Sequence, residues 1–212
     1  MLLAFDTATP AVTVALHDGE RVVASSLHVD ARRHGELLAP AITALLDEAW
    51  IPRQDLTAIA VGVGPGPFTG LRVGLVTART LAMTLDIPVY GVCTLDVLAA
   101  QAVDERAVSG DFLVATDARR KEVYWAAYDG QGRRLDGPQV ARPADVADLG
   151  PVVGAGAVLY PDAFPQAVGP EHPDARWLAQ VVTDERAELL DPEPLYLRRP
   201  DVAEPGKPKP VS

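Results

Sequence analysis

The sequence predicts an α/β protein built as two related lobes, and three observations carry that expectation. Three short strand patterns follow one another over residues 2–28 with tight connections between them. Helical and strand patterns then alternate over 34–102, and a weaker meander restarts at Phe112. An antiparallel meander that feeds parallel βα units is an uncommon order, and it narrows the possible topologies.

The elements follow in turn. Residues 2–6 are a short apolar run ending in Asp6-Thr7-Ala8-Thr9-Pro10. Residues 11–17 alternate, with Val12, Val14 and Leu16 on one face and Thr13, Ala15 and His17 on the other. Asp18-Gly19 is a hairpin signal, and 21–28 reads as a third strand. Leu37, Leu38, Ile42, Leu45 and Leu46 recur at helical spacing over 34–49, where Pro40 predicts a kink or a late start. Residues 57–63 are almost wholly apolar, as a strand buried on both faces would be. Gly64-Pro65-Gly66-Pro67-Phe68-Thr69-Gly70 must be a loop. A helix follows over about 70–85, stopped by Asp86-Ile87-Pro88, then a strand over 88–92 and a short helix over 94–102. Strands are expected at 112–116, 122–128, 133–135 and 152–154, a helical turn at 143–148 and a helix over 174–188. Asp6-Thr7 and Asp117-Ala118 each stand just past a first strand, which suggests a degenerate duplication. The lobes are expected at 1–103 and 104–202, with a disordered Pro/Lys-rich tail at 203–212.

The 212 residues suffice for a self-supporting core. A single cysteine, Cys93, excludes an internal disulfide framework and a cysteine-built structural zinc site, and fits a reducing cytoplasm. The N-terminus has no basic n-region, and no apolar run approaches the roughly 20 residues of a membrane span. With a net charge of −10, the chain is expected to be a poor binder of nucleic acid on its own. Its arginine pairs, Arg32-Arg33, Arg119-Arg120, Arg133-Arg134 and Arg198-Arg199, are scattered in sequence and read as solvated surface.

Two motifs could carry chemistry. A carboxylate and hydroxyls in a turn before an antiparallel strand (Asp6, Thr7, Thr9) resemble the phosphate turn of actin/sugar-kinase-like (ASKHA, ribonuclease H-like) proteins, in which the Asp holds Mg²⁺ through water. The plain reading is an Asx-turn closing the strand. The loop over 62–70 sets a helix N-terminus behind glycines, as an anion site would. It matches neither G-x-G-x-x-G nor a Walker A loop, and Pro65 and Pro67 remove two N–H donors, so a rigid strand-to-helix corner at a subunit interface is the alternative. There is no G-x-S-x-G and no H-E-x-x-H, and no two histidines stand at i, i+4. His34 reads as a helix-start residue near Glu36, and Cys93 as a buried strand-end residue. No catalytic residue is identified.

Three stretches together resemble the TsaB family, also called YeaZ: Asp6-Thr7-Ala8-Thr9, His34-x-Glu36-Leu37-Leu38-x-Pro40, and Gly64-Pro65-Gly66-Pro67-Phe68-Thr69-Gly70-Leu71-Arg72. Arg72-Val73-Gly74 and Ala78-x-x-Leu81-Ala82 continue the last of these, and Pro194-Leu195-Tyr196-Leu197-Arg198 resembles the family's C-terminal signature. The likeness is strong over about 1–103 and loose over 104–190.

The resemblance implies a subunit of the machinery that makes N6-threonylcarbamoyladenosine at position 37 of ANN-decoding tRNAs. Its expected partners are the transferase TsaD, of which the family is a paralogue, the ATPase TsaE, and a second copy of itself in isolation. The tRNA would be reached only through the complex. The metal-binding H-x-x-x-H of TsaD falls here on Cys93 and Val97, so no metal and no transferase chemistry are expected of this chain. No cofactor of its own is expected, with ATP or ADP at the level of the complex. Pairing through two helices, about 34–49 and 69–85, would involve Leu37, Leu38, Ala41, Ile42, Leu45, Leu71, Leu75 and Arg79. The alternative for those residues is that they only cover the lobe's own sheet. Three other functions stay open: a small nucleotide-dependent phosphotransferase using Asp6, the metallopeptidase implied by the older glycoprotease label, and a homodimeric binding module with no link to tRNA.

Overall fold

Alternating apolar strands that must bury both faces need helices on both sides, and the computed structural model shows how this chain supplies them. It describes residues 1–147 and 150–198. The first lobe is a five-stranded sheet of β1 (Leu2–Asp6), β2 (Ala11–His17), β3 (Val22–Val29), β4 (Ala58–Gly62) and β5 (Val89–Val92), in the order β3-β2-β1-β4-β5. β1 runs antiparallel to β2 and parallel to β4, and β4 runs parallel to β5. Between the strands lie helices α1 (His34–Glu48) and α2 (Phe68–Leu85).

Leu3, Phe5, Val12, Val14 and Leu16 form one face of this sheet. Leu38, Ile42 and Leu45 of α1 and Leu75 and Ala78 of α2 cover it. Full burial of each large side chain is worth roughly 1.5–3 kcal/mol relative to exposure. α1 begins at His34 and runs on through Pro40. Pro40 is exposed, so its ring points away from the packing face and only the Glu36 carbonyl lacks its helical donor.

The second lobe repeats the plan. β6 (Phe112–Asp117), β7 (Val123–Tyr128), β8 (Arg134–Ala141) and β9 (Val152–Val153) form a sheet in the order β8-β7-β6-β9. β6 is antiparallel to β7 and parallel to β9, as β1 is to β2 and β4. This repeated topology is the duplication suggested by the two aspartates, in an α/β fold of two mixed sheets.

Two further helices cross over between the lobes. α3 (Thr94–Asp104) packs Leu95, Leu98, Ala99 and Ala102 against Phe112, Val114, Ala126 and Tyr128 of the second sheet. α5 (Ala175–Thr183) packs Ala175, Leu178, Ala179 and Val181 on Ala4, Ala15 and Ala60, the small-residue face of the first sheet. Thr13, on that same face, accepts from the Ala175 amide at the start of α5 (2.8 Å), and Asp174 caps the Arg176 amide (2.9 Å). The expected division at 103/104 therefore separates the sheets but not the helices.

Three expectations need correction. The strand expected at 133–135 runs to Ala141, because Gly137-Pro138 is tolerated on an edge strand. The helix expected to reach 188 ends at Thr183, and Glu185 turns to φ 55°. A short helix, α4 (Ala155–Leu159), follows β9. The turn expected at 143–148 is a single 3-10 turn at Pro143–Asp145, with residue 148 outside the described residues, as is the tail at 203–212.

Residues 190–198 form a strap. Leu190 and Gly91 exchange both backbone hydrogen bonds (2.8 and 2.9 Å), and the Leu195 amide donates to Val63 (2.9 Å). Glu193 pairs with Arg79 of α2 (2.9 Å), and Tyr196 packs on Phe68 with ring centroids 4.8 Å apart. Arg198 then donates to the Ala118 carbonyl (3.0 Å) and pairs with Glu122 in the second lobe.

Candidate functional site

The turn after β1 and the glycine loop before α2 are one packed unit. Asp6 is fully buried. Its Oδ1 accepts from the Ala8 amide (2.6 Å), and its Oδ2 accepts from the Thr94 hydroxyl (2.7 Å), which in turn accepts from the Gly64 amide (3.2 Å). A Cβ at Gly62 would stand 1.8 Å from Asp6 Oδ2, and one at Gly66 would stand 2.0 Å from the Ala8 carbonyl oxygen. The glycines thus let the loop close onto residues 6–8. Burial pushes the Asp6 carboxyl above its ordinary range, against the lowering effect of the Thr94 and Ala8 hydrogen bonds.

A cleft of about 210 Å³ opens between the lobes beside this unit, lined by Thr7, Thr9, His34, Thr69, Asp117 and Arg119 among others. Of the expected nucleotide residues, Thr7 and Thr9 reach the cleft, and Asp6 lies behind them. The Thr7 hydroxyl donates to the Gly70 carbonyl (2.8 Å), and the Thr9 hydroxyl accepts from the Ala11 amide (3.2 Å). His34, expected near Glu36, is buried instead and its Nε2 donates to the Thr9 carbonyl (2.7 Å). The polar groups at this turn are engaged with the chain's own backbone. As they stand, the turn is an Asx-turn closing β1 and the glycine loop is a strand-to-helix corner between β4 and α2.

The helix faces assign a different surface from the one expected. Leu38, Ala41, Ile42, Leu45, Leu71 and Leu75 are all buried within the chain. They cannot also meet a partner, so as contact residues they are corrected to core, and charges placed at Leu38 and Leu45 would unfold the lobe. Leu37 is half-buried and Arg79 is exposed against Glu193. The outward face of the same helices is nevertheless unusual. α1 shows Ala39, Pro40, Thr43 and Ala44 to solvent, and α2 shows Val76, Thr80 and Met83, with Val76 62% and Met83 82% exposed. A shallow groove of about 500 Å³ runs along α2 beside Phe68, Arg72, Val73 and Val76. A surface helix ordinarily carries charge opposite its apolar stripe. Between Glu36 and Asp47, α1 carries none, and α2 carries only Arg72 and Arg79. That scarcity of charge was the available sequence signal.

Among the described residues no three His, Cys, Asp or Glu side chains are grouped to hold a metal ion, and no helix is long and apolar enough to cross a membrane. Cys93 is fully buried at the start of α3, where burial pushes its thiol up to about 12. Val97 lies in the core between the first sheet and α5.

The sequence matches the family model described as "TsaD: tRNA N6-adenosine threonylcarbamoyltransferase" over residues 22–168. It is 47% identical over 211 residues to an uncharacterized protein of Mycobacterium tuberculosis (strain ATCC 25618 / H37Rv), covering 94% of this chain and 92% of that one. It is 39% identical over 128 residues to the tRNA threonylcarbamoyladenosine biosynthesis protein TsaB of Escherichia coli (strain K12), covering 60% of this chain and 54% of that protein. Among solved structures, YeaZ from Pseudomonas aeruginosa is 34% identical with a TM-score of 0.76, covering 92% of this chain and 99% of that chain. A Pseudomonas aeruginosa protein described as similar to peptidase YEAZ is 35% identical with a TM-score of 0.79, covering 93% and 99%.

Proposed function

The chain belongs to the TsaB (YeaZ) family, within the reach of the TsaD family model, and on that premise we propose that it is a non-catalytic subunit of a cytoplasmic tRNA-modifying complex. Its role is to dock on a TsaD-type transferase subunit and hold it in its active state, as a partner that binds one state does by mass action. TsaE-type ATPase joins the assembly, the tRNA is reached through it, and any ATP or ADP acts there. In isolation the same face pairs two copies of this chain.

The observation that supports this reading is the outward face of α1 and α2, which bears no carboxylate between Glu36 and Asp47 of α1 and none along α2. Val76, Met83, Thr43 and Ala44 are small or apolar, exposed, and free of the carboxylates that are common elsewhere on this acidic chain. Small side chains let a partner's helices approach closely in a four-helix contact.

The test is a double substitution, Val76→Asp with Met83→Asp, followed by size-exclusion chromatography with light scattering against the TsaD of the same organism. Burying two unpaired carboxylates costs several kcal/mol, so pairing should weaken at least about a hundredfold, and threonylcarbamoyl transfer to tRNA should fall to the level seen without this chain. Both positions are exposed, so the variant stays folded. A heterodimer that survives both charges would remove the docking assignment.

A further inference from the structure

The cationic side chains of this acidic chain are not evenly spread. The turn between β6 and β7 places Arg119, Arg120 and Lys121 in succession at φ 60°, 55° and 60°. That region of backbone space belongs by preference to Gly, Asn and Asp. The turn is closed by the Ala118 amide on the Glu122 carbonyl and the Glu122 amide on the Arg119 carbonyl, both at 3.0 Å. All three side chains are exposed. Arg198, at the end of the strap, holds the turn from beneath through the Ala118 carbonyl and the Glu122 carboxylate.

Arg119 lines the cleft, and so does Ala31 on the opposite lobe. Arg32 and Arg33, exposed, directly follow Ala31. Arg119 thus stands at the opening, with Arg120 and Lys121 next to it in the turn and Arg32 and Arg33 next to Ala31 on the facing lobe. The carboxylates among them are Asp30, Glu36, Asp117 and Glu122. Arg33 pairs with Asp30 (2.7 Å) and Arg119 with Asp117 (3.3 Å), each an exposed guanidinium on a half-buried carboxylate at the surface. Such surface pairs are weak and screened by salt, so a phosphate can replace the carboxylate as partner. Over the rest of the chain, carboxylates clearly outnumber cations.

We propose that this cleft rim is a contact surface for the phosphate backbone of RNA, supplied directly by this chain. The choice of RNA among polyanions rests on the reading of the chain as part of a tRNA-modifying assembly; the clustering of charge does not. The contact is one of position, without base readout, because the described residues there offer guanidinium and ammonium groups and no Phe, Tyr or Trp lines the cleft.

The experiment is fluorescence anisotropy of a labelled tRNA transcript titrated with the full chain, at several salt concentrations between about 50 and 200 mM. The expected result is binding that weakens as salt rises, with a slope near −0.9 per phosphate contact. Arg119→Asn with Lys121→Asn should weaken binding at least about tenfold and flatten that slope by about 2. Asparagine keeps the turn, since it tolerates positive φ. Arg21→Gln with Arg53→Gln, at the far end of the first sheet where Leu2 pairs with His17 and Thr57 bonds Met1, should change neither quantity. Absence of salt-dependent binding by the full chain, or equal weakening by the distant pair, would overturn the proposal. The Asn variant should still pair with the transferase subunit in light scattering. Loss of RNA binding with pairing intact identifies the rim alone; failure of the unmodified chain to pair at all is a failure of the docking function instead.

Discussion

The two lobes share a topology and differ in what has been built on it. Asp6 and Asp117 end equivalent strands, and each accepts the amide two residues on, at 2.6 and 2.8 Å. Beyond that point they diverge. Asp6 is sealed under the glycine loop, whereas Asp117 faces the cleft and pairs with Arg119. The first lobe follows β4 with the 18-residue α2, while the second follows the two-residue β9 with the five-residue α4. The first lobe also inserts α1 between its third and fourth strands; the second has a 3-10 turn at Pro143–Asp145 in that interval. The lesson is a division of labour: the elaborated lobe carries two long helices over a closed corner, and the reduced lobe leaves its first turn open to solvent and charged.

The glycine seal is where that difference is most easily broken. Gly66→Ala would drive a Cβ into the Ala8 carbonyl, which is backbone and cannot rotate away. A loss of roughly 3 kcal/mol or more is expected in urea unfolding, at the severe end for overpacking. A loss under about 1 kcal/mol would mean that the loop and the turn are not one unit. The two aspartates give a sharper contrast at smaller cost. Asp6→Ala strands the Ala8 amide and the Thr94 hydroxyl in the interior and should destabilise by about 2–4 kcal/mol, whereas Asp117→Ala leaves groups that water can reach and should cost about 1 kcal/mol or less. Equal effects would erase the contrast between sealed and open turns.

Acid titration separates the same pair more finely. Because burial raises the Asp6 carboxyl, the native state holds that proton more tightly than the unfolded chain does. The resulting stabilisation is complete below the ordinary value of 3.8 and is lost as pH rises through the folded value. Relative to Asp6→Asn, the unmodified protein should therefore lose stability on going from about pH 3.5 to 7. Parallel stability curves for the two would show that the buried carboxyl has no raised affinity for its proton.

Much of the first lobe was legible because its signals are local. The alternation over 11–17, the turn at Asp18-Gly19 and the apolar run before Gly62 each specify an element without help from elsewhere. The second lobe was less legible because its elements break local rules that tertiary context overrides. Gly137-Pro138 reads as a stop but lies within an edge strand, and Ala155–Leu159 forms a helix that no apolar period announces. Thr7 and Thr9 could be placed at the cleft from sequence, but the environment of Asp6 could not, since Thr94 stands 88 residues away. The leucines of α1 and α2 had the right spacing for either face of the helix. Which face was covered depended on the sheet beneath, and the residues left outward are the exposed ones between them, such as Thr43, Ala44, Val76 and Met83.

The crossing of the helices bears on how the chain is made. The alanine face of the first sheet is closed by α5, which lies at residues 175–183, and its outer strand is joined by Leu190. During synthesis from the N-terminus the first lobe leaves the ribosome early, yet its sheet stays bare on one side until almost the entire chain has emerged. The two lobes are thus two copies in topology and one unit in assembly, and neither matures before the last strap residues arrive.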